Sequence, residues 1–157
     1  MLEIIKAPSR FCMIPNRRYL FLAGSIEMGK AENWQQEIEG FLKDLDMTIL
    51  NPRRDDWDSS WEQSINNSQF REQVEWELQG LEMSDFIALY FSPGTKSPIT
   101  LLELGLFAKS RPGKLIVCCP DGFWRKGNVD IVCKRYGVKQ VDSIQQLVDE
   151  IYLKVKK

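Results

Sequence analysis

Two glutamates stand where carboxylates can do chemistry. Glu103 is the only charge in the run Ile99-Thr-Leu-Leu-Glu-Leu-Gly-Leu-Phe-Ala108, which follows an apolar strand and a Ser/Pro/Gly loop. A helix apolar on all sides is expected to be buried, and a carboxylate inside it is costly unless paired. Such a group is either a structural ion pair, with Arg53, Arg54 or a backbone amide as partner, or a chemical tool whose pKa its surroundings set. Glu77 falls on or beside the apolar stripe of its own predicted helix, one turn from Val74 and Leu81, with Gln73 one turn earlier. Spacing alone reads Glu77 as a partly exposed helix flank. Taken with Glu103, it suggests a two-carboxylate site in which one group attacks and the other positions or protonates.

The remaining composition narrows the chemistry. The sequence has no histidine, which removes every Ser-His or Cys-His catalytic pair. Cys12, Cys118, Cys119 and Cys133 form no CxxC pair, so a zinc site is not expected, nor is any cofactor. Cys118 and Cys119 read as small apolar residues of a buried strand. Acid–base work then falls to carboxylates, Tyr, Lys or water. A formal net charge of −1 over 157 residues argues against phosphate-driven nucleic-acid binding. No apolar stretch is long enough to span a bilayer and the N-terminus lacks a signal-peptide layout, so the expected location is the cytosol.

The elements that must position these residues alternate between strand and helix across one domain, 1–157. Strands are expected at 19–24, 48–50, 86–91, 114–119 and 138–141. Helices are expected at about 32–45, 68–82, 143–154 and in the Glu103 segment, where Ser97 fits the N-cap and Pro98 the first helical position. The order implies a mostly parallel five-stranded sheet covered on both faces. Ligands of such sheets bind outside the carboxyl ends of the strands. The loops at that edge are 24–29, 51–55, 92–98 and 120–130, with a tryptophan-rich loop at 53–67. Gly24-Ser25 before a helix could cradle a phosphate, though it is no Walker or Rossmann fingerprint. Arg53 and Arg54 could bind an anion or neutralise nearby acids. Trp57, Trp61, Trp76 and Trp124 could stack on a base or pack, with packing favoured for at least two.

Together, Phe21-Leu-Ala-Gly-Ser-Ile26, Asn51-Pro-Arg-Arg54, Gln73-Val-Glu-Trp-Glu77, Ser84-Asp85 and Pro98-Ile-Thr-Leu-Leu-Glu-Leu-Gly105 resemble the nucleoside 2-deoxyribosyltransferase family, in its divergent branch. The resemblance spans about residues 19–140 and implies a Rossmann-like (flavodoxin-type) three-layer fold. It implies that Glu103 attacks C1′ of a 2′-deoxynucleoside and that Glu77 assists the departing base. It further implies substrate contacts from the matched segments: Phe21, Gly24, Ser25, Asn51, Arg53, Gln73, Trp76, Asp85 and Ser97. Asn128 resembles a family asparagine that reaches a neighbouring subunit's ligand, which implies a homo-oligomer. The partners so implied are a nucleoside or nucleotide and a free nucleobase. At two positions the chain departs from the family pattern. Phe21 stands where a tyrosine is common, and no aspartate lies between Ser92 and Pro98, which leaves Ser97 or Thr95 to meet the sugar. Two other readings stay open: hydrolysis of a nucleoside 5′-monophosphate, and a non-catalytic nucleoside sensor.

Overall fold

The computed structural model describes residues 1–27 and 31–157. Met28, Gly29 and Lys30, part of the loop expected at 24–29, lie outside the described residues. The strands are β1 (Glu3–Lys6), β2 (Tyr19–Gly24), β3 (Thr48–Asn51), β4 (Phe86–Tyr90), β5 (Leu115–Cys118) and β6 (Lys139–Val141). They form one parallel sheet in the order β1-β3-β2-β4-β5-β6. The helices are α1 (Trp34–Phe41), α2 (Ser68–Met83), α3 (Pro98–Ser110), α4 (Lys126–Tyr136) and α5 (Ile144–Val155).

Period-two alternation in the central strands decides which side chains meet which helices. Leu20 and Leu22 of β2 pack with Trp34, Ile38, Leu147 and Ile151 from α1 and α5. Tyr19, Phe21 and Ala23 turn the other way, toward Trp76, Leu81, Leu104 and Phe107 of α2 and α3 and Val129 of α4. The result is a Rossmann-like three-layer fold. Strand order reverses between β2 and β4, so the loops leaving them diverge to opposite faces and open a crevice at their carboxyl ends.

The sheet has six strands rather than the expected five. β1 escaped notice because Glu-Ile-Ile-Lys is short, partly exposed and framed by charges, as an edge strand is. α4 replaces the second half of the loop expected at 120–130. Its polar start, Lys-Gly-Asn, hides a helix that fully buries only Val129 and Cys133 before Gly137 ends it at φ 68°. α1 stops short of the expected 45, although Leu42 and Leu45 stay buried beyond its end.

One contact governs how α2 sits. Helical spacing offers Phe70, Val74, Leu78 and Leu81 as an apolar face, but the helix is rotated: the buried residues are Gln73, Trp76, Gly80 and Leu81. Phe21 of β2 is fully buried and its ring lies where a Gly80 side chain would be. A Cβ on Gly80 would stand 2.6 Å from Phe21 Cε2. In Gly80→Ala the helix-propensity gain of about 1 kcal/mol competes with about 1–3 kcal/mol of overpacking in a closed core. The clash should win, giving a net loss of about 1 kcal/mol in urea unfolding. Unchanged or higher stability would show that α2 is not held this way.

Candidate active site

α3 explains the placement of Glu103. Pro98 supplies the preset φ of a first helical residue, and Thr100, Leu104, Phe107 and Ala108 face the sheet. The helix is not buried all round: Ile99, Leu102 and Leu106 are exposed, at 57%, 59% and 47%. Glu103 lies on the side between Thr100 and Phe107 and is half-buried. Burial raises its carboxyl well above the ordinary range, and the nearby charge of Glu77 pushes it further the same way. The charge acting on Glu103 is thus a second carboxylate, not an arginine.

Glu77 comes from α2, one turn after Gln73. Gln73 Nε2 donates to Pro52 O at 2.9 Å and to Glu77 Oε1 at 3.1 Å. That hydrogen bond favours the ionised carboxylate, but burial outweighs it and raises Glu77 to about 7. Gln73 itself is only 4% exposed, and its Oε1 is buried without a hydrogen-bond partner. The arginines are engaged elsewhere. Arg53 donates to Ala31 O, Glu32 O and Gln35 Oε1, and burial lowers its pKa. Arg54 holds Asp56 and lies over the Trp61 ring at 4.8 Å.

The carboxyl edge of β2 and β4 is lined with hydroxyls. Ser25 Oγ bonds with Ser97 Oγ and with Thr95 Oγ1 at 3.0 Å, and accepts from Ser92 N at 2.9 Å. Thr95 Oγ1 and Ser97 Oγ are 2.8 Å apart. Ser97 does not cap α3 through its side chain and has φ 44°. Its N–H instead donates to Glu27 Oε1 at 2.9 Å. Glu32 Oε1 accepts from Tyr90 Oη at 2.8 Å and Ser92 Oγ at 3.1 Å. Beside this network a cleft of about 460 Å³ opens between Ala31-Glu32 and the loop Ser92–Thr95. A larger cavity of about 650 Å³ lies by the start of β1, near Glu3, Arg17 and Asp46, away from both carboxylates. Glu27, Glu32 and Tyr90 at this edge carry no mark in the sequence, because the contacts joining them span up to 70 residues of chain.

The other expected site residues fall in several places. Phe21 is fully buried, between Gly80 and Trp76, whose ring centroid is 6.1 Å away. Trp76 Nε1 donates to Ser9 O, and Phe11 packs edge-on against its ring at 5.5 Å. Gly24 closes against Tyr90 and Trp34, where any side chain would clash. Asn51 donates to Glu39 Oε1 at 2.7 Å and accepts from Arg53 N, which fixes the loop after β3. Asp85 precedes β4 at the opposite edge of the sheet, where it accepts from Tyr19 N and pairs with Arg18. Asn128 is exposed in the first turn of α4. Trp57 and Trp61 pack together at 5.1 Å. Trp124 is 52% exposed and donates to Lys96 O. Cys118, Cys119 and Cys133 are buried free thiols, raised by burial to about 12, 11 and 12. Among the described residues no group of acids and cysteines could hold a metal ion, and no helix is long and apolar enough to cross a membrane.

The parallel α/β sheet, with two raised carboxyls on the helices beside its switch point, is of the Rossmann-like class. The family model described as "nucleoside 2-deoxyribosyltransferase like" matches residues 17–123, and the chain belongs to that family. The fold is also that of a crystal structure titled as a conserved protein from Enterococcus faecalis V583. The two share 13% identity with a TM-score of 0.61, over 88% of this chain and 99% of that one. No curated protein matches the sequence.

Both raised carboxyls tie stability to pH. The folded chain keeps protons that unfolded glutamates lose near 4.5, so stability falls wherever the folded state binds more. Their contribution is fully present below 4.5 and is lost as pH rises through about 7 for Glu77 and through the raised range of Glu103. Glu77→Gln should abolish part of this decline and stabilise the protein at pH 8 by about 2 kcal/mol. Thermal melts from pH 5 to pH 8 read it out. Equal pH slopes in wild type and variant would refute the burial of this carboxyl.

Proposed function

We propose that the protein cleaves the N-glycosidic bond of a 2′-deoxynucleoside, with Glu103 as nucleophile and Glu77 as general acid. The observation that carries this reading is the pair itself: two neighbouring, desolvated carboxyls, both raised, that together favour holding one proton. In the reactive form Glu103 is ionised and Glu77 carries that proton.

A Glu103 oxygen forms a bond to C1′ while the C1′–N bond breaks, and its electron pair leaves on the base nitrogen. Glu77 delivers its proton to the departing base. A nitrogen of a second base then attacks C1′, expels the Glu103 carboxylate and passes its proton back to Glu77. Two displacements at one carbon give net retention. Water in place of the second base would make the outcome hydrolysis, and base exchange is the preferred version. Gln73 holds Glu77 through its amide N–H, and its unpartnered Oε1 suits an N–H donor of the base. The serine and threonine hydroxyls at the α3 entrance suit the sugar, in place of the missing aspartate. The exposed Ile99, Leu102 and Leu106 of α3, with Ile131 of α4, favour self-association, which would carry Asn128 toward a neighbouring copy.

Incubation with mixed deoxynucleosides and free bases, followed by chromatography, tests the reaction. Glu103→Ala should lower turnover by roughly 10³-fold or more while the fold persists. Glu77→Gln should lower it by about 10²-fold. With one deoxynucleoside and no acceptor base, intact-protein mass should rise by one deoxyribosyl group in wild type and not in Glu103→Ala. A fully active Glu103→Ala variant would end this mechanism.

A further inference from the structure

Helix α3 begins in a way its own sequence does not explain. Its first turn has no acidic residue, its N-cap hydroxyl makes no capping bond, and its first residue is a proline. The N-cap N–H is nonetheless satisfied, by the carboxylate of Glu27 from the loop after β2. In a capping box that bond comes from a glutamate three residues into the helix itself. Here a distant loop supplies it, and both ends of the bond sit in left-handed backbone, Glu27 at φ 48° and Ser97 at φ 44°. The positive end of the α3 dipole, the place where a ligand anion would settle, is taken by one of the chain's own anions.

From this we infer that Glu27 is a specificity-determining residue that excludes a 5′-phosphate from the substrate. The inference rests on the reading of Glu103 as the group that meets C1′. With the base toward Gln73 and Glu77 on α2, the 5′ end of the sugar extends from Glu103 back along α3. Ser97 is six residues before Glu103, about 9 Å of helix at 1.5 Å per residue, a span that a deoxyribose 5′-phosphate covers. A phosphate there would meet Glu27 at one end of the hydroxyl network and Glu32 at the other. Among the described residues, Arg53 and Lys96 nearby are turned to other tasks. Arg53 donates to the carbonyls of Ala31 and Glu32, and the Lys96 ammonium lies 5.7 Å from the Trp124 ring. An uncharged 5′-hydroxyl can join the serine and threonine network instead. Like charge set against the wrong ligand is how a site rejects a near neighbour of its substrate.

The experiment compares deoxyadenosine with dAMP in wild type and Glu27→Gln, which keeps an oxygen to accept from Ser97 N–H and removes the charge. Wild type should favour deoxyadenosine. The ratio of kcat/KM for dAMP to that for deoxyadenosine should rise about tenfold or more in the variant. Glu27→Gly, which suits the left-handed backbone, should be stabilised by inorganic phosphate in a thermal melt while wild type is not. A wild-type preference for dAMP, or equal changes for both substrates in Glu27→Gln, overturns the inference and leaves the Glu103 mechanism standing. No cleavage of either substrate by wild type overturns that mechanism. The phosphate melt then decides the role of Glu27 independently, and the absence of any difference between wild type and Glu27→Gly overturns it.

Discussion

The seat of α2 on β2 is the constraint on which the site depends. Gly80 has no side chain where the Phe21 ring lies, so the helix can approach the strand closely, and that approach fixes its rotation. Gln73, Trp76 and Glu77 then turn inward together, because positions three and four apart share a helix face. Phe21 of β2 and Gly80 of α2 thereby set the helix rotation by packing, and the Gln73 amide holds the second carboxylate by a hydrogen bond.

Desolvating two acids side by side costs stability, and the sheet offsets that cost with apolar burial on both faces. The arrangement makes sense for a site that must hold one proton between two carboxyls and change which of them carries it. The edge of the sheet follows a different logic. There the polar groups are satisfied by one another: Ser25, Ser92, Thr95 and Ser97 form a closed hydroxyl network bounded by Glu27 and Glu32. The deep end of the site is electrostatically strained and the outer end is relaxed. Such a division suits chemistry at one end and recognition at the other.

The parallel sheet, the ends of most elements and the desolvation of the Glu103 carboxyl were legible in the sequence, because apolar runs and one isolated charge carry their own signal. β1 and α4 were not, since an edge strand and a helix with two fully buried residues lack an apolar pattern strong enough to stand out. The rotation of α2 was hidden for another reason. Val74 and Leu78 look like core residues, but the Gly80–Phe21 contact decides the helix face, and it joins residues far apart in the chain. Glu27 carries no signal because its partner is the backbone N–H of Ser97, which no sequence pattern marks. Asp85, grouped with the site by resemblance, lies at the amino edge, where it holds Tyr19 N and Arg18.

The central claim is that Glu77 and Glu103 titrate as a coupled, buried pair, and carboxyl-carbon NMR titration of the glutamates tests it most directly. In wild type, the Glu77 and Glu103 resonances should both titrate above the ordinary range, that of Glu77 near 7. In Glu77→Gln, the Glu103 resonance should stay raised by burial but move to lower pH, because the neighbouring charge is gone. If every glutamate titrates near 4.5, or if Glu103 ignores the loss of Glu77, the two carboxylates are not a pair and the account built on them fails.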